Sequence, residues 1–203
     1  MVNYVSLSRP GSSFGAKPIT RRYADSLTAA GLVIVSNYQY GKPGGSAPSD
    51  CTRGYAGGVA DARTAWQLHT AAGGGQGAPV FFTVDEDINR DTWNRVALQW
   101  FRGINSVLGV QRTGVYGGID VCQWAAAMVL SDLRAHPAAG GLANSSLVRP
   151  SDLPGRRSLP ARREHQVQSW PRVGGFEVDV NDVLAPDCGQ WNLHQGHRNG
   201  DAR

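Results

Sequence analysis

Residues 80–89 read VFFTVDEDIN, and this stretch decides how the chain is built. Val80 to Val84 is an unbroken run of apolar and β-branched residues, the pattern of a strand covered on both faces. It ends abruptly in three carboxylates, Asp85, Glu86 and Asp87. Side chains alternate along a strand, so while the extended geometry lasts Asp85 and Asp87 point to one side and Glu86 to the other. Two like charges held side by side repel and raise one of the two pKa values, which leaves one proton donor beside one charged partner. The competing reading is a solvated loop leading into a helix, with Asp91 ahead of Thr92 as its N-terminal cap.

On either side of this stretch the chain alternates. Upstream, Tyr4 to Leu7 is a short strand candidate, and a helix from about Ile19 to Ala30 stops at Gly31. Leu32 to Val35 is aliphatic like a buried parallel strand, and the chain emerges from it at Asn37, Tyr38 and Tyr40. A helix is expected from about Gly54 to Ala72, with Val59, Ala62, Trp66 and His69 or Thr70 along one side. The glycine-rich Gly73 to Gly77 follows a helix and precedes a strand, the reverse of a phosphate-binding order, and reads as a helix terminator. Downstream, Trp93, Val96, Ala97, Trp100, Phe101, Ile104 and Leu108 recur at helical spacing up to Gly109. RTGVYGG at 112–118 is a further strand, and Asp120 caps a helix to about Leu133. From Ala135 to Glu164 no period holds, and a long irregular insert rich in arginine is expected. Strand candidates resume at His165–Trp170 and from Phe176 to about Val183.

With 203 residues, the chain suits one domain over 1–191, with a polar tail at 192–203. A hydrophobic content of 41% and 26 glycines fit a loop-rich globular α/β protein. The net charge of +4 is scattered or lies in one late segment, so no nucleic-acid footprint is expected. Cys51, Cys122 and Cys188 lack metal-ligand spacing, and Asp187, Cys188, His194 and His197 match a metal site only weakly, so no metal and no cofactor is expected. No apolar run is long enough to span a membrane, and no signal peptide is read at the start; the oligomeric state is not encoded.

Repeated strand–helix alternation implies a parallel sheet with crossover helices, either an open doubly wound sheet or a (β/α)8 barrel. Asn37, Tyr38, Asp85, Asp87, Tyr116, Gln168 and Asp179 all fall near the C-terminal ends of strand candidates, the rim on which a barrel carries its site. We therefore expect an α/β, (β/α)8 TIM-barrel-like fold.

The ordered set LTAAGLVIVSNYQYG, GYAGGVADARTA, APVFFTVDEDI, FRGINSVLGVQRTGVYGG, HQVQSW and FEVDVNDVL resembles the glycoside-hydrolase-like TIM-barrel domain of bacterial cell-envelope proteins and actinobacterial phages, a family related to the family-25 lysozymes. The resemblance implies a hydrolase acting on peptidoglycan or a related envelope polysaccharide, with the cell envelope or exterior as its location. It places Asp85 and Asp87 where the lysozymes carry an Asp-x-Glu pair of catalytic carboxylates. By the same resemblance Tyr116, Asp179 and Gln168 line the glycan groove, and Tyr38 is expected to join them. VNYVSLS resembles the family's second strand, so the barrel is expected to lack its first strand and that strand's Asp, and residues 141–164 depart from the family pattern. The alternative is a barrel that binds cell-wall glycan without turnover.

Overall fold

The structure is a computed structural model that describes residues 1–13, 15–135, 146–148, 172–173, 176–177 and 189–193. Strand β3 (Val80–Val84) is buried at every position. It lies at the centre of a five-stranded parallel sheet with β1 (Val2–Tyr4), β2 (Val35–Tyr38), β4 (Thr113–Gly117) and β5 (Ser146–Val148), in the spatial order β1-β2-β3-β4-β5. Each new strand is added on the same side of the last. Right-handed crossovers in one direction place all their helices on one face, whereas a doubly wound sheet reverses its order. The sheet is thus wound in a single sense.

The register sorts the side chains. Asn37 pairs with Phe81, Phe81 with Gly114, and Thr83 with Tyr116, so these residues share one face. On that face Tyr116 packs against Val35 and Phe81, and Thr83 donates to the Asn37 side chain at 2.9 Å. A side chain at Gly114 would overlap the Phe81 ring, so glycine there makes room for it. The alternate residues, Ser36, Tyr38, Phe82, Val84 and Val115, meet the helices.

Those helices are α1 (Arg21–Ala29), α2 (Gly54–Ala71), α3 (Arg90–Thr92), α4 (Leu98–Leu108) and α5 (Ile119–Ala135). A π-helical turn, Trp93–Ala97, joins α3 to α4, and it buries Trp93 beside Phe101. Trp100 meets Phe82 edge-on at 5.7 Å and Phe101 at 5.2 Å, the offset geometry that aromatic rings favour. Along α2 the buried residues Gly57, Gly58, Asp61, Ala62, Ala65 and His69 form a stripe of mostly small side chains. A Cβ on Gly58 would overlap the Trp100 carbonyl and one on Gly103 the Tyr55 carbonyl, so the two helices meet backbone to backbone.

Several boundaries differ from those the sequence suggests. Strand β1 is Val2–Tyr4 rather than Tyr4–Leu7, because its ladder starts where Val2 meets Val35. Strand β2 begins at Val35, where its ladder with Val2 starts; Leu32 and Val33 are 41% exposed, and the buried run is instead Ile34 to Tyr38. Asn89, not Asp91, caps the helix, its side chain accepting from Thr92 N at 2.8 Å; Asp91 pairs with Arg95 at 2.8 Å. Asp120 lies in the first turn of α5, which starts at Ile119. Within the expected irregular insert, Ser146–Val148 pairs in parallel with β4; three residues are too few to show a period. Phe176–Glu177 (β7) pairs antiparallel with Arg172–Val173 (β6), not within the parallel sheet. The His165–Trp170 strand candidate lies outside the described residues.

The segment 189–193 is a structural surprise. Trp191 exchanges both backbone hydrogen bonds with Ile34 at 2.8 Å, and its indole donates to Ser36 Oγ at 3.1 Å. Ser36 Oγ in turn lies 2.8 Å from His69 Nδ1, while His69 Nε2 lies 3.1 Å from the Gly75 carbonyl. A carbonyl only accepts, so Nε2 carries the proton and Ser36 donates to Nδ1. His69 is therefore a fully buried joint between β2, α2 and the Trp191 segment.

Candidate functional site

The site grows from the ends of β1, β2 and β3. Beyond Val84 the chain is still extended enough for the alternation to hold: Asp85 opens onto the face shared by Asn37 and Thr83. Glu86 turns the other way and accepts from Cys51 Sγ at 3.3 Å. Burial, together with the Glu86 carboxylate, pushes the Cys51 thiol up to about 12. Asp85 lies in a cleft of about 640 Å³ with Tyr4 and Ser6 from the β1 end and Gln39 and Tyr40 from the β2 end. Lys17 from the loop before α1 and Lys42 from the loop after β2 complete its rim.

The aromatic wall is held rigidly. Arg9 lies over the Tyr40 ring at 5.2 Å, and Tyr40 Oη is bonded to Ser12 Oγ. The Tyr40 and Gly41 amides both donate to Asp50, at 2.7 and 2.9 Å, and Arg9 forms an ion pair with the same carboxylate. Burial raises the Asp50 carboxyl, against the opposing pull of the two amides and Arg9. At Gly41 any side chain would overlap the Pro48 carbonyl, so the loop after β2 folds back tightly beside the cleft. A cleft with pre-set walls loses less entropy on binding than one that must be ordered.

Not all of the residues expected at the site reach it. Asp87 is exposed beyond the strand end and is not among the residues lining the cleft. Tyr116 is half-buried on the cleft's face of the sheet, one strand further on. Tyr38 does not face the cleft: it is 3% exposed on the helix side, and its hydroxyl donates to Asp61 at 2.6 Å. Asp61 also accepts from Trp100 Nε1 at 2.9 Å and from Arg53. Burial and Asp61 hold the Tyr38 phenol far above its ordinary range. Gln168 and Asp179 lie outside the described residues, as do Asp187, Cys188, His194 and His197. No group of three metal-ligating side chains is found among the described residues, and no described helix is long and apolar enough to cross a membrane.

Tyr4, Gln39, Lys17 and Lys42 were not singled out from sequence. Gln39 follows Asn37 by two, so the period of β2 already puts it on the face opposite Tyr38. For the lysines no pattern points inward, since both sit on irregular loops.

Asp85, at the exit of the central parallel strand, thus stands in a cleft beside Tyr4 and Tyr40. Residues 1–183 match the family described as Rv2525c-like, glycoside hydrolase-like domain. The chain belongs to this family. It is 36% identical over 192 residues to Rv2525c of Mycobacterium tuberculosis, a protein named as a peptidoglycan hydrolase, covering 94% of this chain and 74% of that one. Two crystal structures of that Tat-secreted protein are similar to this Rv2525c-like chain. The complex with HEPES superposes with a TM-score of 0.71 at 37% identity, and the complex with L-tartrate with 0.71 at 34%. Each comparison covers 94% of this chain and 87% of the other. The parallel α/β sheet is thus the family's fold.

Proposed function

We propose that this Rv2525c-like chain binds bacterial cell-wall glycan in the cleft and hydrolyses a glycosidic bond there by carboxylate acid/base chemistry. The observation that carries the reading is the placement of Asp85, aimed from the end of β3 into a cleft beside Tyr4 and Tyr40. Hydrolysis needs a proton at the leaving oxygen and a second group to support the oxocarbenium-like centre. Asp85 supplies one carboxylate at the cleft wall. The second group is the acetamido group of the substrate itself, or Asp87 if its exposed side chain swings in from beyond the strand end when glycan binds. Tyr4, 46% exposed, offers aromatic surface to the apolar face of a sugar ring, and the buried Tyr40 backs the cleft wall. The name of Rv2525c as a peptidoglycan hydrolase supports the substrate class, and its Tat secretion supports an extracellular or envelope location for this chain. The five consecutive parallel strands are read as part of a (β/α)8 ring, with the cleft on its C-terminal rim.

A second reading, glycan binding without turnover, is favoured by one observation: Asp85 is the sole carboxylate among the described residues that line the cleft. Release of reducing ends from purified cell wall separates the two. The hydrolase reading expects release by the wild-type protein and a loss of about a thousandfold in Asp85→Asn, the scale of removing a general acid or base and then some of its electrostatic support. Binding to cell wall with no release by the wild type establishes the second reading instead.

A further inference from the structure

The charge around the cleft is lopsided. Its lining carries two ammonium groups, Lys17 and Lys42, against the single carboxylate Asp85. They come from different loops, one preceding α1 and one following β2, and both side chains are exposed. Neither lysine takes part in any ion pair among the described residues. Arg9, which lies over the Tyr40 ring, is already committed to Asp50. A neutral sugar would leave both lysines without a charged partner.

We propose that Lys17 and Lys42 are specificity-determining residues that select a glycan bearing an anionic substituent, such as a sugar carboxylate, seated in the cleft with its ring against Tyr4. This rests on the glycan reading above and adds to it the charge of the substrate. A carboxylate between two ammonium groups gains from both, and Asp85 repels it, so the acidic substituent points to the lysine rim and the neutral part of the sugar to Asp85. The acidic group thereby orients the glycan with respect to the reacting carboxylate.

The test compares two tetrasaccharides by isothermal titration: a muramic-acid-containing one prepared from cell wall and neutral chitotetraose, with the methyl ester of the acidic one as a third probe. Exposed ion pairs are each worth up to about fivefold in affinity, so the wild-type protein should prefer the acidic glycan by about tenfold at low salt. The ester should bind like the neutral glycan. In the double variant Lys17→Gln/Lys42→Gln, checked as folded by circular dichroism, the preference should fall to within about twofold of unity, and about 500 mM salt should erode it in the wild type. Equal binding of acidic and neutral glycans, an ester that binds like the free acid, or a double variant that keeps the preference would overturn the proposal while leaving glycan binding intact. Failure of the wild type to bind any of the three would overturn both the proposal and the glycan reading.

Discussion

Replacing Tyr38 by Phe separates a structural tyrosine from a groove residue. The substitution removes one oxygen and keeps the ring, so the 5.5 Å contact with Phe82 survives. What is lost is the 2.6 Å hydrogen bond donated to the Asp61 carboxylate, made at a site 3% exposed, and a longer one accepted from Arg9 at 3.5 Å. Hydrogen bonds to charged groups contribute about 1.5–3 kcal/mol. Asp61 keeps Trp100 and Arg53 as partners, so it is not left stranded, and the loss should sit at the lower end, about 1.5–2 kcal/mol. For a chain of this size that is a fall in melting temperature of about 3–8 °C, or about 1 M in the urea midpoint. Glycan binding and turnover, measured on the folded variant, should match the wild type. A variant of unchanged stability that loses glycan binding tenfold would show that Tyr38 serves the groove and that its assignment to the helix face is mistaken.

Other consequences are as direct. Gly103→Ala forces a methyl into the Tyr55 carbonyl and should cost about 1–3 kcal/mol in chemical denaturation, as should Gly58→Ala against Trp100; an unchanged midpoint would mean the α2–α4 contact is looser than described. Ser36→Ala leaves the Trp191 indole and His69 Nδ1 without their shared partner and should destabilise by about 2–4 kcal/mol, with tryptophan fluorescence reporting release of Trp191. Tyr38 and Cys51 both have folded pKa values raised above their unfolded ones, so their contribution is complete below about pH 8.5. It is lost as pH rises, for Cys51 through the window up to about 12. Unfolding free energy should therefore fall on the alkaline side, less steeply in Tyr38→Phe, and Cys51 should resist alkylation at neutral pH until the protein unfolds.

Much of the fold is legible from period and punctuation. Val80–Val84 and Thr113–Gly117 are strands as their sequence suggests, and α2 spans Gly54–Ala71, within a residue of the helix expected over Gly54 to Ala72. Positive φ at Gly31, Gly73 and Gly109 confirms the helix terminators, including the glycine run that resembles a phosphate loop. What escaped reading depends on tertiary pairing. The start of β2 is set by which residues meet β1 and β3, not by the hydropathy of Leu32 and Val33. Strand β5 has no pattern of its own and exists through its ladder with β4. The site divides in the same way. Alternation places Asp85 and Glu86 on opposite sides from sequence alone, as Glu86's bond to Cys51 shows. The face to which Tyr38 belongs follows only once the register with β3 is known, because proximity to a strand end does not say which way a side chain points.

The central claim is that glycan occupies the cleft at Asp85. The most direct measurement is a crystal structure of the inactive Asp85→Asn variant soaked with a cell-wall tetrasaccharide. The account predicts a sugar ring against Tyr4, a glycosidic oxygen within hydrogen-bond distance of residue 85, and the Tyr40 wall unmoved from its position over Arg9. A saccharide bound on another face, with the cleft holding only solvent, would contradict it.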